Sequence, residues 1–363
     1  MNGPAGTAKA LATVPAARPA SARAGARRAA AAPRPPRVAI VGTGMKVPER
    51  VLANVDFERM VETTDEWITT RTGIKERHVC AEGEHAADLG AQAALAACGE
   101  AGLAPADLEL IVCSTSTPDH LLPSTACEIQ ARLGARRAGC FDVQAACSGF
   151  IYASAVAEGL LTTGAYRNAL VVAAEKMSAI TDYTDRATCV LFGDGGGAAL
   201  LAPVEGDAGG PGILSSVLRT DGTQMELLWR PAGGAARPST PGTLARKDEL
   251  LKQEGRQVYK HAVRAMTESS REAIELAGLT LADVDWVIPH QANLRIIEGV
   301  ASQLGVPMSK MYVNIDRYGN TSSATIPIAL DEGRRSGLFK PGQVLLLAAF
   351  GSGFTWGAQL VRL

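Results

Sequence analysis

A chain of 363 residues, 47% hydrophobic and 20% charged, is long enough to bury one large core or two half-sized ones without help from disulfides or metals. Its formal net charge of −1 gives no global attraction to nucleic acid or to an anionic membrane, so an acidic partner has to be met by a local basic patch. The cysteines at 80, 98, 113, 127, 140, 147 and 189 are odd in number and lack any Cys-x-x-Cys pair, which argues against a disulfide framework and a zinc site and for a reducing compartment.

Residues 1–36 are dominated by Ala, Arg and Pro, with no Asp or Glu and no apolar stretch of a secretory signal. They read as a disordered tail on a cytoplasmic protein, with a plastid or mitochondrial transit peptide as the alternative. Folding is predicted to begin at Arg37, where Arg37-Val-Ala-Ile-Val-Gly-Thr-Gly44 reads as a buried strand entering a turn. Strands are predicted at 108–114, 138–143, 169–173 and 198–201, and helices over 85–101 and 148–163. Residues 37–205 thus alternate strand and helix as a layered α/β unit does. Gly and Pro crowd 206–245, which reads as a connecting region. Residues 246–363 restate the first half: Val284–Pro289 stands where Leu108–Cys113 stood, Met311–Asn320 matches Cys140–Cys147 as a strand entering a helix, and 343–363 ends in a strand pair. Two similar αβ halves about a pseudo-twofold axis are expected. Apolar runs such as Val344–Phe350 are too short to span a membrane.

Several signals are discounted. Gly42-Thr-Gly44 lacks the third glycine of a dinucleotide fingerprint, and Phe192-Gly-Asp-Gly-Gly-Gly197 lacks the Lys-Ser/Thr of a phosphate loop and reads as a tight turn. His78, His85, His120 and His261 have no metal-ligand spacing, so no metal and no cofactor are expected.

The chemistry is expected at strand ends. Gln144-Ala-Ala-Cys147-Ser-Gly-Phe150 lies where a strand meets a helix, so the partial positive charge of the helix N-terminus favours a thiolate at Cys147. His290 ends Trp286-Val-Ile-Pro-His290, and Asn320 ends Val313-Asn-Ile-Asp-Arg-Tyr-Gly-Asn320, both at positions equivalent to that of the cysteine. Cysteine, histidine and asparagine together also describe a papain-like hydrolase, and nothing in these residues alone excludes one.

Eight ordered motifs go further. Thr64-Asp-Glu-Trp67-Ile, Arg71-Thr-Gly-Ile74, Ala146-Cys147-Ser-Gly, Thr184-Asp-Arg186, Leu191-Phe-Gly-Asp-Gly195, His290-Gln-Ala-Asn293, Tyr318-Gly-Asn320-Thr-Ser and Phe350-Gly-Ser-Gly-Phe-Thr-Trp356-Gly resemble those of β-ketoacyl-acyl-carrier-protein synthase III over nearly all of 37–363. The resemblance implies a thiolase-like α/β fold, an α-β-α-β-α sandwich, and a homodimer condensing an acyl-coenzyme A with malonyl-acyl-carrier protein. A polyketide starter synthase or acyltransferase is the alternative. It implies Cys147 as the acylated nucleophile, His290 and Asn320 as enolate donors, and the backbone N–H groups of Cys147 and Ser352 as the oxyanion hole. Ser352 stands where the family usually has glycine. Coenzyme A falls to Trp67, Arg186, Arg71, Arg295 and Asn293, the carrier protein to Lys260 and Arg295, and the partner subunit's acyl tunnel to Leu122, where some acetyl-preferring relatives carry phenylalanine.

Overall fold

The apolar runs form two sheets in a computed structural model that describes residues 37–205 and 209–363; the expected disordered tail lies outside the described residues. The first sheet contains β1 (Arg37–Lys46), β2 (Leu110–Ser114), β3 (Gly139–Val143), β4 (Ala169–Glu175) and β5 (Gly195–Val204), in the spatial order β1-β5-β4-β2-β3. The second contains β6 (Gly212–Thr220), β7 (Trp286–Pro289), β8 (Val344–Gly351) and β9 (Thr355–Arg362), in the order β6-β9-β8-β7. Pairing directions agree as well: antiparallel, antiparallel, then parallel from β1 or β6 inward. The duplication expected from the sequence is therefore present as topology.

Expectations for two segments of the second half and its connection need correction. Met311–Asn320 is not a strand entering a helix: Met311 makes an isolated parallel bridge to Val287, where the first sheet has its fifth strand. Gln291 takes the bonds a neighbouring strand would make, its amide donating to the Tyr312 carbonyl (3.1 Å) and its Oε1 accepting from the Asn314 N–H (3.1 Å). The chain then turns at once into the short helix Ile315–Tyr318. In the stretch read as a connection, Gly212–Thr220 is an edge strand of the second sheet; the flanking glycines and proline hid the run Ile213–Leu218.

The helices used below are α1 (Asp65–Thr72), α2 (Ala86–Ala101), α3 (Gly149–Thr162), α4 (Gly255–Leu276), α5 (Leu294–Leu304) and α6 (Thr325–Arg335). Helices α3 and α6 lie between the sheets and touch strands of both, while α2 covers the outer face of the first sheet and α4 that of the second. The result is the five-layer α-β-α-β-α sandwich of the thiolase-like fold. Covered on both faces, β4 and β8 are buried along their whole length, which is why they read as unbroken apolar runs rather than alternating ones.

The discounted glycines pack the layers. A Cβ on Gly42 would come within 2.2 Å of the Ala97 carbonyl oxygen, and one on Gly44 within 2.1 Å of the Ala93 oxygen, so α2 lies directly on the backbone of β1. Gly195–Gly197, expected in a tight turn, instead opens β5, with Gly196 against Leu89 of α2 and Gly197 against Pro327 of α6. Among the described residues no helix is long and apolar enough to cross a membrane.

Candidate active site

The turn that carries Cys147 is built from both halves. Residues Ala146–Ser148 form a 3-10 turn that runs straight into α3, with Ala146 at φ 46°. The hydroxyls of Ser148 and Thr355 converge on the Ala145 carbonyl, at 2.7 and 2.8 Å, and so tie this turn to the start of β9. A Cβ on Gly351 would stand 2.6 Å from the Cys147 nitrogen, so only a glycine lets the end of β8 lie against the backbone of Cys147.

The same construction recurs before α6. Residues Ser322–Ala324 form a 3-10 turn with Ser322 at φ 51°. Asn320 caps this turn from within, its Oδ1 accepting from the Ser322 N–H at 2.9 Å, while its own N–H donates to the Leu191 carbonyl (2.9 Å). The two amide hydrogens on Nδ2 are left for a ligand. His290 follows β7, held by its N–H to the Ala348 carbonyl (2.8 Å), and its Nδ1 lies 2.7 Å from the Thr325 hydroxyl. Cys147 Sγ lies 3.6 Å from the Ser322 hydroxyl.

These groups share one cavity of about 760 Å³, lined by Cys147, His290, Asn320, Ser322 and Ser352. His290 and Asn320 are 2% and 6% exposed. Burial holds the His290 imidazole down at about 3, so at neutral pH it carries a single N–H. Burial also pushes the Cys147 thiol up to about 12, against the pull of the Ser322 hydroxyl, and Glu175 adds to the rise. Desolvation thus opposes the thiolate that the helix terminus favours.

The cavity is also lined by Trp67, Arg71, Asn293 and Arg295. Arg186 is not part of its lining, yet its guanidinium sits 5.0 Å from the centre of the Trp67 ring, with Arg71 at 5.3 Å, an arrangement suited to a flat π system. Asn293 caps α5 through its Oδ1, which accepts from the Arg295 N–H at 2.9 Å; this leaves its amide hydrogens for a ligand. Lys260 is exposed on α4 outside the lining, one turn from Arg256, which does line the mouth. Leu122 is 89% exposed and also outside the lining of this chain's cavity.

Other wall residues were missed. Trp229, Arg230, Gln253 and Tyr259 line the same cavity; the Gly/Pro-rich reading hid the first two. Glu175, fully buried, accepts hydrogen bonds from the Ser323 hydroxyl (2.6 Å), the Thr117 hydroxyl (2.8 Å) and the Ser116 N–H (3.0 Å). Burial raises its carboxyl pKa. No periodicity marks a buried carboxylate in advance.

Two family models match the chain, 3-oxoacyl-[acyl-carrier-protein (ACP)] synthase III over residues 141–222 and its C-terminal counterpart over 274–363. The beta-ketoacyl-[acyl-carrier-protein] synthase III of Desulfitobacterium hafniense is 49% identical over 325 residues, 90% of this chain and 97% of that protein. The crystal structure of 3-oxoacyl-[acyl-carrier-protein] synthase III from Aquifex aeolicus VF5 superposes with a TM-score of 0.83 at 44% identity, covering 90% of this chain and 100% of that one. The priming beta-ketosynthase from the R1128 polyketide biosynthetic pathway superposes with a TM-score of 0.84 at 36% identity, over 92% and 99%. With its duplicated sandwich and its cysteine, histidine and asparagine around one cavity, the chain belongs to the β-ketoacyl-acyl-carrier-protein synthase III family of acyltransferase-type condensing enzymes.

Proposed function

We propose that this chain condenses a short acyl-coenzyme A with malonyl-acyl-carrier protein, giving a 3-oxoacyl-carrier protein, CO₂ and coenzyme A, and so initiates fatty-acid synthesis. The observation that carries the reading is the convergence of Cys147, His290 and Asn320 on one cavity. Cys147 Sγ attacks the acyl-coenzyme A carbonyl, its proton leaves with the coenzyme A sulfur, and a thioester on Cys147 remains. In malonyl-carrier protein the bond to the carboxylate then breaks. Its electron pair forms an enolate whose oxygen accepts hydrogen bonds from His290 and Asn320. The enolate carbon attacks the thioester carbonyl, with its oxyanion on the N–H groups of Cys147 and Ser352, and the released Cys147 sulfur regains a proton from solvent.

Supporting the ligand assignments, Trp67 and Arg186 offer faces for the adenine, Arg71 and Arg295 cations for its phosphates and Asn293 an amide for the pantetheine arm. Lys260, with Arg256 one turn away on an exposed face of α4, and Arg295 form the patch for the acidic carrier protein. Leu121 and Leu122, 81% and 89% exposed on adjacent positions of one loop, support a homodimer in which this loop reaches the partner's acyl tunnel. The exposed thiol of Cys127 fits a reducing cytoplasm.

The test supplies carboxyl-labelled malonyl-carrier protein and acetyl-coenzyme A, with CO₂ release and product mass as readouts. No CO₂ and no 3-oxo product would mean a partner that only binds the carrier protein. A second reading, a polyketide starter synthase, is favoured by the likeness to the R1128 priming ketosynthase; a panel of acyl-coenzyme A substrates separates the two.

A further inference from the structure

A neutral imidazole has one N–H, and the nitrogen that carries it is decided by what the other nitrogen meets. For His290 that neighbour is Thr325, the first residue of α6, 3% exposed, with its hydroxyl 2.7 Å from Nδ1. A threonine hydroxyl has one proton to give, and here two acceptors lie within reach: Nδ1 and, at 3.2 Å, the Ser322 carbonyl. If the proton went to Ser322, Nδ1–H would donate to Thr325 and Nε2 would be bare. A bare nitrogen repels an enolate oxygen. The Ser322 carbonyl, however, already accepts the backbone N–H of Thr325 itself, whereas the shorter of the two contacts is the one to the ring.

We infer that Thr325 is a positioning residue: its hydroxyl donates to Nδ1 of His290 and so places the one imidazole hydrogen on Nε2, the nitrogen left to meet an enolate oxygen in the cavity. The inference rests on the reading of His290 as an enolate donor. It assigns to α6 a second task, since the helix that follows the Asn320 turn also fixes the hydrogen of the other donor. Acylation of Cys147 forms no enolate and is independent of this hydrogen.

The experiment compares wild type, Thr325→Val and Thr325→Ser in the full-length protein. Acetyl transfer to Cys147 is followed by intact mass, and CO₂ release from malonyl-carrier protein gives kcat and KM. Expected for Thr325→Val is acylation within about twofold of wild type and a kcat for decarboxylation lower by about 10²-fold with KM little changed; Thr325→Ser, which keeps the hydroxyl, recovers most of the loss. Normal decarboxylation by Thr325→Val overturns the inference, as does an equal loss of both steps that serine does not restore. The ring-nitrogen ¹⁵N shifts of His290 in the wild type test the same point without a variant. A hydrogen on Nε2 supports the inference and one on Nδ1 overturns it. A wild type that acylates but releases no CO₂ overturns the condensing reading and Thr325's catalytic purpose with it, while the tautomer remains directly measurable.

Discussion

The turns that open the two central helices, 144–149 before α3 and 320–325 before α6, are the same backbone device in the two halves. Each is a 3-10 turn begun by a residue of positive φ, Ala146 in one and Ser322 in the other. In the first the middle residue is Cys147, open to the cavity. In the second it is Ser323, buried with its hydroxyl on Glu175. One copy thus exposes a thiol, while the other turns its equivalent side chain into an internal brace and presents Asn320 from two residues before Ser322. The duplication gives two like scaffolds, and burial decides which side chain reaches the cavity. The Glu175 carboxyl under the second turn secures it and adds to the rise that burial gives the Cys147 thiol.

The largest expected effect breaks the first copy. Cys147→Ala should lower condensation by at least about 10³-fold, since no acyl-enzyme can form, while folding survives a small, helix-compatible residue; intact mass should show an acetyl adduct only on the wild type. An adduct persisting at Cys140 or Cys189 would defeat the assignment.

Breaking the second copy should separate the two half-reactions. Asn320→Ala, and His290→Ala across the cavity, should each cost about 10²–10³-fold in malonyl decarboxylation while acetyl-enzyme still accumulates. Variants that decarboxylate normally but fail to acylate would reverse the roles given to the two turns.

The pH dependence sharpens the comparison of burial at Cys147 and His290. With its thiol pushed up to about 12, Cys147 of the free enzyme should be alkylated by iodoacetamide about tenfold faster for each unit of pH rise, without a plateau between about pH 6 and 9; a plateau near neutrality would mean a stabilised thiolate. His290, held down at about 3, runs the other way. The unfolded chain takes up its proton below about pH 6.5, so the stability His290 confers is complete above that pH and is lost as pH falls toward the folded value. Urea midpoints of His290→Gln should fall less steeply than wild type over that window.

Smaller effects are expected where ligand contacts are spread over several groups. Trp67→Ala or Arg186→Ala should raise KM for acetyl-coenzyme A about tenfold, with kcat after acylation little changed; an unchanged KM would remove the adenine from this pair. Leu122→Phe should cut kcat/KM for butyryl-coenzyme A relative to acetyl-coenzyme A by about fourfold for each methylene excluded. Equal losses on both substrates would show that Leu122 does not set the depth of the tunnel.

Residue pattern alone pointed to the layered α/β architecture, because strands buried on both faces must be apolar throughout, as β4 and β8 are. It also pointed to Cys147, His290 and Asn320, each placed where a predicted strand ends, and the structure brings all three to one cavity. Tertiary structure decided what depends on partners distant in the chain. Gln291, rather than a fifth strand, satisfies Tyr312 and Asn314. Trp229 and Arg230 reach the mouth of the cavity from a segment that reads as loop. The burial of the thiol was likewise hidden: a helix terminus is visible in a sequence, but the desolvation that pushes the Cys147 thiol up arises only when the two halves close over it.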